Sequence, residues 1–180
     1  MSRRDFVIDL ETLGTGSNSL IMSIGMACVQ DDSQDIYKLL NLDDQIRLGR
    51  TVDVSTMQWW STQNTDLYQH NLQGNSHNFN NKDILEVISN IFNESPKDTY
   101  LWGYGSVFDN VLLKSLYETY EMVYPVFYRN DMCLRTLLSI TNASGHTIPE
   151  FKSETPHHAY EDAKSEAKML KYLLELNGVK

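Results

Sequence analysis

The chain contains few of the residues that define several classes of protein. Only two of its 180 residues are cysteines, Cys28 and Cys133, and they lie far apart without CxxC or Cys/His ligand spacing. This excludes a disulfide scaffold and a cysteine-based zinc site, and we expect two buried free thiols in a reducing, cytoplasmic setting. No apolar run approaches the ~20 residues that a membrane-spanning helix needs, so we do not expect a membrane protein.

Basic residues are also scarce. The chain has 15 Lys and Arg against 24 Asp and Glu, which gives a formal net charge of −9. Because affinity for phosphates normally comes from Lys and Arg, an acidic surface does not attract nucleic acid at long range. Any binding of nucleic acid must therefore depend on a local site. The opening segment, residues 1–11, is too short and too charged for a signal peptide.

The distribution of apolar residues predicts a single α/β domain over residues 1–180. Apolar segments predict strands at 4–10, 20–29 and 36–42, and the short turns between them favour an antiparallel meander. The Asn-rich segment 70–81 predicts a surface loop. Later patterns predict helices near 53–63 (with Ser55 and Gln58 as a capping box), 82–94, 106–121, 131–140 and 159–176, and strands at 99–105 and 126–130. This order indicates a mixed sheet flanked by helices.

Two acidic residues end the first predicted strand. Asp9 and Glu11 are two positions apart, so their side chains lie on the same face of a strand, with Cα atoms roughly 7 Å apart. Two carboxylates beside a buried apolar strand are unfavourable unless a cation neutralises them, which two divalent metal ions would do. The alternative is that the strand simply emerges into solvent at this point, and the pair alone does not decide between the two.

A third acidic residue, Asp109, follows the strand predicted at 99–105. Ligands of α/β sheets commonly bind beyond the carboxyl ends of strands, where this residue is expected. Ser106 and Asp109 also have the spacing of a capping box, with Asp in place of Glu. Taken alone, Asp109 therefore fits a stabilised helix start better than a functional site.

The segment before the last predicted helix contains His157, His158 and Asp162. On a continuous helix His157 and Asp162 would be ~140° apart and could not share a site. The preceding loop with Pro156 allows His157 to lie outside the helix. Small residues at every fourth position allow close approach of this helix to the sheet, at Ala159, Ala163 and Ala167. The alternatives are an ordinary surface histidine pair and a first-turn acid favoured by the helix dipole.

Taken together, these residues resemble the DEDDh 3′→5′ exonuclease superfamily. Its three motifs occur in the right order across most of the chain, as Asp9 and Glu11 (DxE), Phe108 and Asp109, and His157 and Asp162 (HxAxxDA). The segments WGYGSVFDN and YRNDMCLRTL and the pair Trp59–Trp60 resemble a narrower group, DexA-type phage exonucleases and related small exoribonucleases. The Asn that often precedes the second-motif Asp is missing here, which puts substrate contacts in doubt more than catalysis.

The resemblance implies an RNase H-like fold, with a mixed five-stranded sheet whose first three strands are antiparallel. It also implies two Mg²⁺ or Mn²⁺ ions held by four carboxylates, Asp9, Glu11, Asp109 and Asp162. His157 would act as general base, for which an imidazole with an ordinary pKa near 6.5 is suited. Thr12, Leu13 and Phe108 are the expected contacts of the 3′-terminal nucleotide. Of Trp59 and Trp60, we expect at least one in the core.

The function that follows from the resemblance is a 3′→5′ exonuclease acting on single-stranded 3′ ends and releasing nucleoside 5′-monophosphates. DNA is slightly favoured over RNA, and a phage-encoded protein would act in the host cytoplasm. Dimers occur in the superfamily, so a homodimer is allowed. The alternatives are an exoribonuclease, a non-catalytic RNase H-like binding module, and an unrelated metal-dependent phosphatase or nucleotide hydrolase.

Overall fold

A computed structural model of the protein describes residues 3–76 and 80–179. In this part of the chain one sheet has the strand order β3-β2-β1-β4-β5. Its strands are β1 (Arg4–Thr12), β2 (Ile21–Cys28), β3 (Ile36–Leu39), β4 (Thr99–Gly103) and β5 (Asp131–Cys133). β1 to β3 are antiparallel neighbours, while β4 runs parallel to β1 and to β5. The predicted mixed five-stranded sheet, with its first three strands antiparallel, is confirmed.

Helices cover both faces of this sheet. They are α1 (Leu42–Arg47), α2 (Val54–Trp60), α3 (Thr65–Asn71), α4 (Asn81–Asn93), α5 (Asp109–Thr119), α6 (Leu134–Ala143) and α7 (Ala159–Leu176). Apolar side chains of α4 and α5 pack on one face of the sheet, and those of α6 and α7 pack on the other. Among the described helices, none is both long enough and apolar enough to cross a membrane.

The central strand β1 faces both helical layers, because its side chains alternate. Phe6 and Ile8 belong to the core cluster with α4 and α5, whereas Val7 belongs to the cluster with α6 and α7. All three side chains are fully buried, as expected for an apolar run in a central strand. By the same alternation, Asp9 and Glu11 continue the face of Val7, toward α7.

The prediction of a surface loop over residues 70–81 is wrong for residues 70–76. His70 and Asn71 are the last two residues of α3, and a 3₁₀ helix follows over Leu72–Ser76. Asn71 is fully buried, and a Cβ atom on Gly74 would overlap the carbonyl oxygen of Leu40, so this polar segment packs tightly against the end of β3. Residues 77–79 lie outside the described part of the chain.

Three other local predictions are also wrong. The strand predicted at 126–130 lies later, at β5, because the side chain of Asn130 donates to the carbonyls of Pro96, Lys97 and Thr99 and holds this segment in a turn. Accordingly, α6 begins at Leu134 rather than at 131. The capping box at Ser55 does not form either, since α2 begins at Val54 without a side-chain cap bond.

Helix α7 approaches the sheet more closely than any ordinary side chain would allow. Gly25 of β2 pairs with Asp9 of β1, and a Cβ atom on Gly25 would overlap the carbonyl group of Ala159 and the amide nitrogen of Tyr160. The small-residue stripe on α7 is buried, as predicted, at Ala159, Ala163 and Ala167. The first turn of α7 therefore rests on the sheet backbone, directly opposite the acidic end of β1.

Replacing Gly25 with Ala is expected to lower the free energy of unfolding by about 1–3 kcal/mol, because the added methyl group must displace the backbone of α7. Thermal denaturation measures this loss. Gly16→Ala is the matched control, since its Cβ atom would meet only Ser19 Oγ at 3.6 Å. Equal melting temperatures for the two variants would contradict the close approach.

Candidate active site

The acidic end of β1 extends beyond its parallel neighbour. β4 pairs with β1 only as far as Ile8, which lies opposite Gly103, the last residue of β4. Asp9 and Glu11 therefore lie just past the carboxyl end of β4, while β2 still pairs with them on the other side. Glu11 is only 7% exposed, so the alternative that β1 simply emerges into solvent does not hold.

Asp109 reaches this end of the sheet from the turn after β4. It is the first residue of α5 and is 6% exposed. The predicted capping box with Ser106 does not form, because Phe108 occupies the cap position and no side chain makes a cap bond. A Cβ atom on Gly103 would overlap Asn110 Oδ1 and lie 3.3 Å from Asp109 Cβ, so the glycine allows the start of α5 to pack against the end of β4.

His157 lies outside α7, as the loop and Pro156 predict. Its backbone has a positive φ of 67°, a left-handed conformation that is uncommon for a non-glycine residue. The backbone N–H of His157 donates to Asp162 Oδ2 at 2.8 Å and holds this bend against the first turn of the helix. The pair is therefore adjacent, although a continuous helix would separate the two residues.

These elements bring three predicted site residues together. Glu11, His157 and Asp162 each present one ligand atom within 4.8 Å of the others, the only such group of His, Cys, Asp and Glu in the described chain. The imidazole of His157 therefore faces the acids. Its ring also packs edge-on against Trp59, with 5.0 Å between ring centroids.

Electrostatics links the other two acids to this group. Burial, together with the charges of Glu11 and Asp109, raises the pKa of Asp9 well above its ordinary value of 3.8. Burial and the charges of Asp162 and Asp109 raise the pKa of Glu11 to about 8. Burial also raises the pKa of Asp109 to about 7, although backbone hydrogen bonds and the charge of Arg135 oppose the shift. Asp9, Glu11 and Asp109 thus share one poorly solvated space, and the half-buried Asp162 borders it.

The donor atoms fit hard divalent cations. None of the four carboxylates forms a salt bridge with a lysine or arginine of residues 3–76 or 80–179. Their charge therefore has no nearby protein counter-ion within hydrogen-bonding distance. Mg²⁺ and Mn²⁺ prefer carboxylate oxygen over soft ligands, and the four carboxylates offer only oxygen atoms.

A cavity of about 410 Å³ opens beside Glu11. Two of the three residues predicted to contact substrate, Thr12 and Phe108, line it. Leu13 does not, because its side chain is buried in a core cluster with Leu20, Met22, Leu42 and Trp60. The backbone of Leu13 is also engaged, donating to Leu20 and accepting from Asp53.

One of the two tryptophans is buried and the other is exposed, in agreement with the prediction that at least one lies in the core. Trp60 is 1% exposed and donates from Nε1 to the carbonyl of Thr12 at 2.9 Å, which makes it a core residue. Trp59 is 43% exposed, lines the same cavity and contacts His157. Helix α2 thus contributes one tryptophan to the core and one exposed tryptophan to the cavity.

Sequence reasoning missed one acidic residue here. Glu166 lines a second cavity, of about 430 Å³, together with Asp9, His157 and Asp162. It follows Asp162 by four positions, so the two side chains lie on the same face of α7. That spacing is visible in the sequence and was the available signal. Burial and the charges of Asp109 and Asp162 raise the pKa of Glu166 to about 8.

The fold is that of the RNase H-like exonucleases. The nuclease domain of 3′hExo, a DEDDh family member bound to rAMP, matches with a TM-score of 0.65 and 12% identity, over 97% of this chain and 92% of that chain. The zinc-bound E. coli ExoI–ssDNA complex matches with a TM-score of 0.63 and 15% identity, over 98% of this chain and 41% of that chain. Cell-death related nuclease 4 (CRN-4) matches with a TM-score of 0.62 and 10% identity, over 97% of this chain and 64% of that chain. The chain thus spans less than two thirds of the last two proteins.

The family follows from the sequence. Residues 4–174 match the 3′-5′ exoribonuclease Rv2179c-like domain, and the chain belongs to this family. The DEDDh 3′→5′ exonuclease superfamily predicted from the motifs is thereby confirmed, and with it a nuclease activity. No protein of curated function matches the chain in sequence. The narrower likeness to DexA-type phage exonucleases and the homodimer stay predictions.

Without metal, the protein is expected to lose stability as the pH rises from about 5 to 8. Glu11 binds its proton more tightly in the folded chain, where its pKa is about 8, than at its ordinary value of 4.5. Its contribution to stability is therefore complete below pH 4.5 and is lost as the pH rises through 8. Thermal melts in chelator measure the trend, which Glu11→Gln should flatten. A melting temperature that rises over this range would contradict it.

Proposed function

We propose that the protein hydrolyses the last phosphodiester bond at the 3′ end of single-stranded nucleic acid and releases nucleoside 5′-monophosphates. The observation that carries this proposal is the convergence of Glu11, His157 and Asp162 within 4.8 Å, beside an aromatic-lined cavity. Asp9 and Asp109 border the same group. Carboxylates, an imidazole and a cavity at one end of the sheet support this proposal.

Asp9, Glu11, Asp109 and Asp162 would hold two divalent cations, Mg²⁺ or Mn²⁺. When bound, such ions stabilise the attacking and leaving oxygens of an in-line displacement at phosphorus. The raised pKa values of Asp9, Glu11 and Asp109 support this role, because they reflect negative charge that the protein itself leaves uncompensated. We assign these four residues as the metal ligands.

His157 would take the proton from the attacking water. The water oxygen bonds to phosphorus as its proton passes to an imidazole nitrogen of His157. The bond from phosphorus to the 3′ oxygen of the preceding nucleotide breaks, and that oxygen leaves with the bonding electrons and takes a proton from solvent water. The hydrogen bond from the backbone of His157 to Asp162 and the edge-on contact with Trp59 hold the ring toward the acids. Orientation of a general base by its neighbours is what such proton transfer requires.

The 3′-terminal nucleotide would occupy the cavity beside Glu11. Its volume of about 410 Å³ lies within the range of small-molecule sites. Phe108 and the exposed face of Trp59 offer surfaces on which a base or sugar can pack, and stacking of this kind is tolerant of base identity. Thr12 is a further contact, whereas the buried side chain of Leu13 gives no support to its predicted contact.

RNA is the substrate that we propose, with DNA as the second candidate. The sequence motifs by themselves slightly favour DNA, but the family to which the chain belongs is described as exoribonucleases. The 3′hExo nuclease domain was solved with rAMP, and the E. coli exonuclease I with ssDNA, so the fold accommodates both chemistries. The 2′-hydroxyl is the group that distinguishes the two substrates.

Matched single-stranded RNA and DNA of one sequence, labelled at the 5′ end, test this proposal. With Mg²⁺ or Mn²⁺ we expect the RNA to shorten one nucleotide at a time and to release nucleoside 5′-monophosphates, with slower shortening of the DNA and no reaction in chelator. Faster shortening of the DNA would favour the second candidate. Release of inorganic phosphate would indicate a phosphatase, and intact substrate under every condition would indicate a binding module.

Removing the imidazole of His157 is expected to lower kcat by about 10²–10⁴-fold, the usual contribution of a general base. The affinity for Mn²⁺ should change far less, since we assign the metal ions to the carboxylates. Single-turnover kinetics and calorimetry of the His157→Ala variant measure the two quantities. His146→Ala, in the exposed loop before it, is the control. A His157→Ala variant with near-normal turnover would refute the role.

A further inference from the structure

Arg135 lies at the border of the second cavity, although no sequence motif includes it. Tyr104 lines this cavity together with Asp9 and His157, and the Arg135 guanidinium stacks on the tyrosine ring, 4.8 Å from the ring centroid. Burial raises the pKa of Asp109, and the charge of Arg135 is among the effects that oppose this rise. A cation therefore lies next to the acidic end of the sheet.

Three contacts hold Arg135 against the turn after β4. Its backbone N–H donates to the carbonyl of Tyr104 at 3.1 Å, and its guanidinium stacks on the ring of the same residue. The guanidinium also packs on Gly105, since a Cβ atom there would lie 3.5 Å from one of its terminal nitrogens, in van der Waals contact. These contacts restrict the orientation of the guanidinium before any ligand binds, which lowers the entropic cost of binding.

The guanidinium of Arg135 nevertheless has no acidic partner among residues 3–76 and 80–179. Four of the six arginines of the chain do have an acceptor in the protein, a carboxylate or a carbonyl group, namely Arg3, Arg4, Arg47 and Arg50. The N–H donors of Arg135 thus stay available to a ligand. Their planar, forked geometry matches two oxygens of a phosphate group.

The stability of helix α6 does not explain this arginine. Arg135 is the second residue of α6, which begins without a side-chain cap bond and without an acidic residue in its first turn. A cation in the first turn is repelled by the positive end of the helix dipole. A guanidinium and an uncapped helix start therefore lie together, and both favour an anion.

We propose that Arg135 binds a phosphate group of the substrate strand on the 5′ side of the scissile bond. This inference rests on the proposed function, in which the 3′-terminal nucleotide occupies the cavity beside Glu11 and the scissile phosphate lies at the carboxylates. The rest of the strand then leaves the carboxylates away from that cavity, toward the second cavity, which Tyr104 lines. The contact supplies an attraction for a polyanion that the acidic surface does not give.

Initial rates of the first cleavage, measured against substrate concentration, test the contact in Arg135→Gln. The substrate is single-stranded RNA or DNA, whichever the wild type cleaves faster. We expect KM to rise by about 10–100-fold, as for the loss of one hydrogen-bonded contact with a charged group, and kcat to stay nearly unchanged. The slope of log KM against log salt should fall by about 0.7, the contribution of one phosphate contact on a single strand.

Arg129→Gln is the matched control and should behave as wild type. Arg129 is also an exposed arginine stacked on a tyrosine, but its partner is Tyr128, in the turn before β5.

A modified substrate tests the same contact without changing the protein. Three oligonucleotides each carry one uncharged methylphosphonate, at the second, third or fourth linkage from the 3′ end. With the wild type, one of these should raise KM to the level that Arg135→Gln shows with unmodified substrate. In the variant, the same methylphosphonate should have no further effect. A wild-type KM that is indifferent to all three would overturn the proposal, even if Arg135→Gln did not fold.

The outcomes distinguish this inference from the proposed function. A wild-type protein that leaves unmodified RNA and DNA intact would overturn both. Normal wild-type cleavage with an unchanged KM in Arg135→Gln would overturn only the role of Arg135. A fall in kcat at constant KM would place the guanidinium on the reacting phosphate and would likewise overturn its assignment to the 5′ side.

Discussion

Repulsion between buried carboxylates is the constraint on which this site depends. Asp9, Glu11 and Asp109 lie at one poorly solvated end of the sheet, and burial raises the pKa of each. Within the described residues no lysine or arginine pairs with them. Such an arrangement is unfavourable for the folded chain by itself and becomes favourable when divalent cations enter. The same acids that weaken the metal-free protein are therefore what would bind its cofactor.

This local chemistry also resolves the conflict between an acidic protein and a polyanionic substrate. A net charge of −9 gives no long-range attraction for nucleic acid, and a 3′-terminal nucleotide needs only a small cavity. Cations held at the carboxylates would reverse the charge where the scissile phosphate lies. Trp59 and Phe108 add apolar surface that is indifferent to charge. Binding energy would thus come from the site rather than from the surface around it.

The approach of α7 to the sheet connects the fold with the chemistry. Gly25 and Ala159 allow backbone contact between β2 and the first turn of the helix. That contact places Asp162 opposite the end of β1, and Asp162 in turn holds the left-handed backbone of His157. Packing at a glycine, which carries no chemistry of its own, therefore determines where His157 and Asp162 lie.

Sequence by itself determined the motif residues, the positions of the first four strands and the bounds of the last helix, because alternation, helical periodicity and short motifs are local properties of the chain. Tertiary structure alone decided which side chains meet. It buried Leu13, exposed Trp59, and brought Glu166 into one cavity with Asp9 from a distant segment. Polar segments such as 70–76 became ordered only through contacts with other elements, which no local pattern encodes. Burial and proximity arise from packing between elements, and for that reason they appear only once the chain is folded.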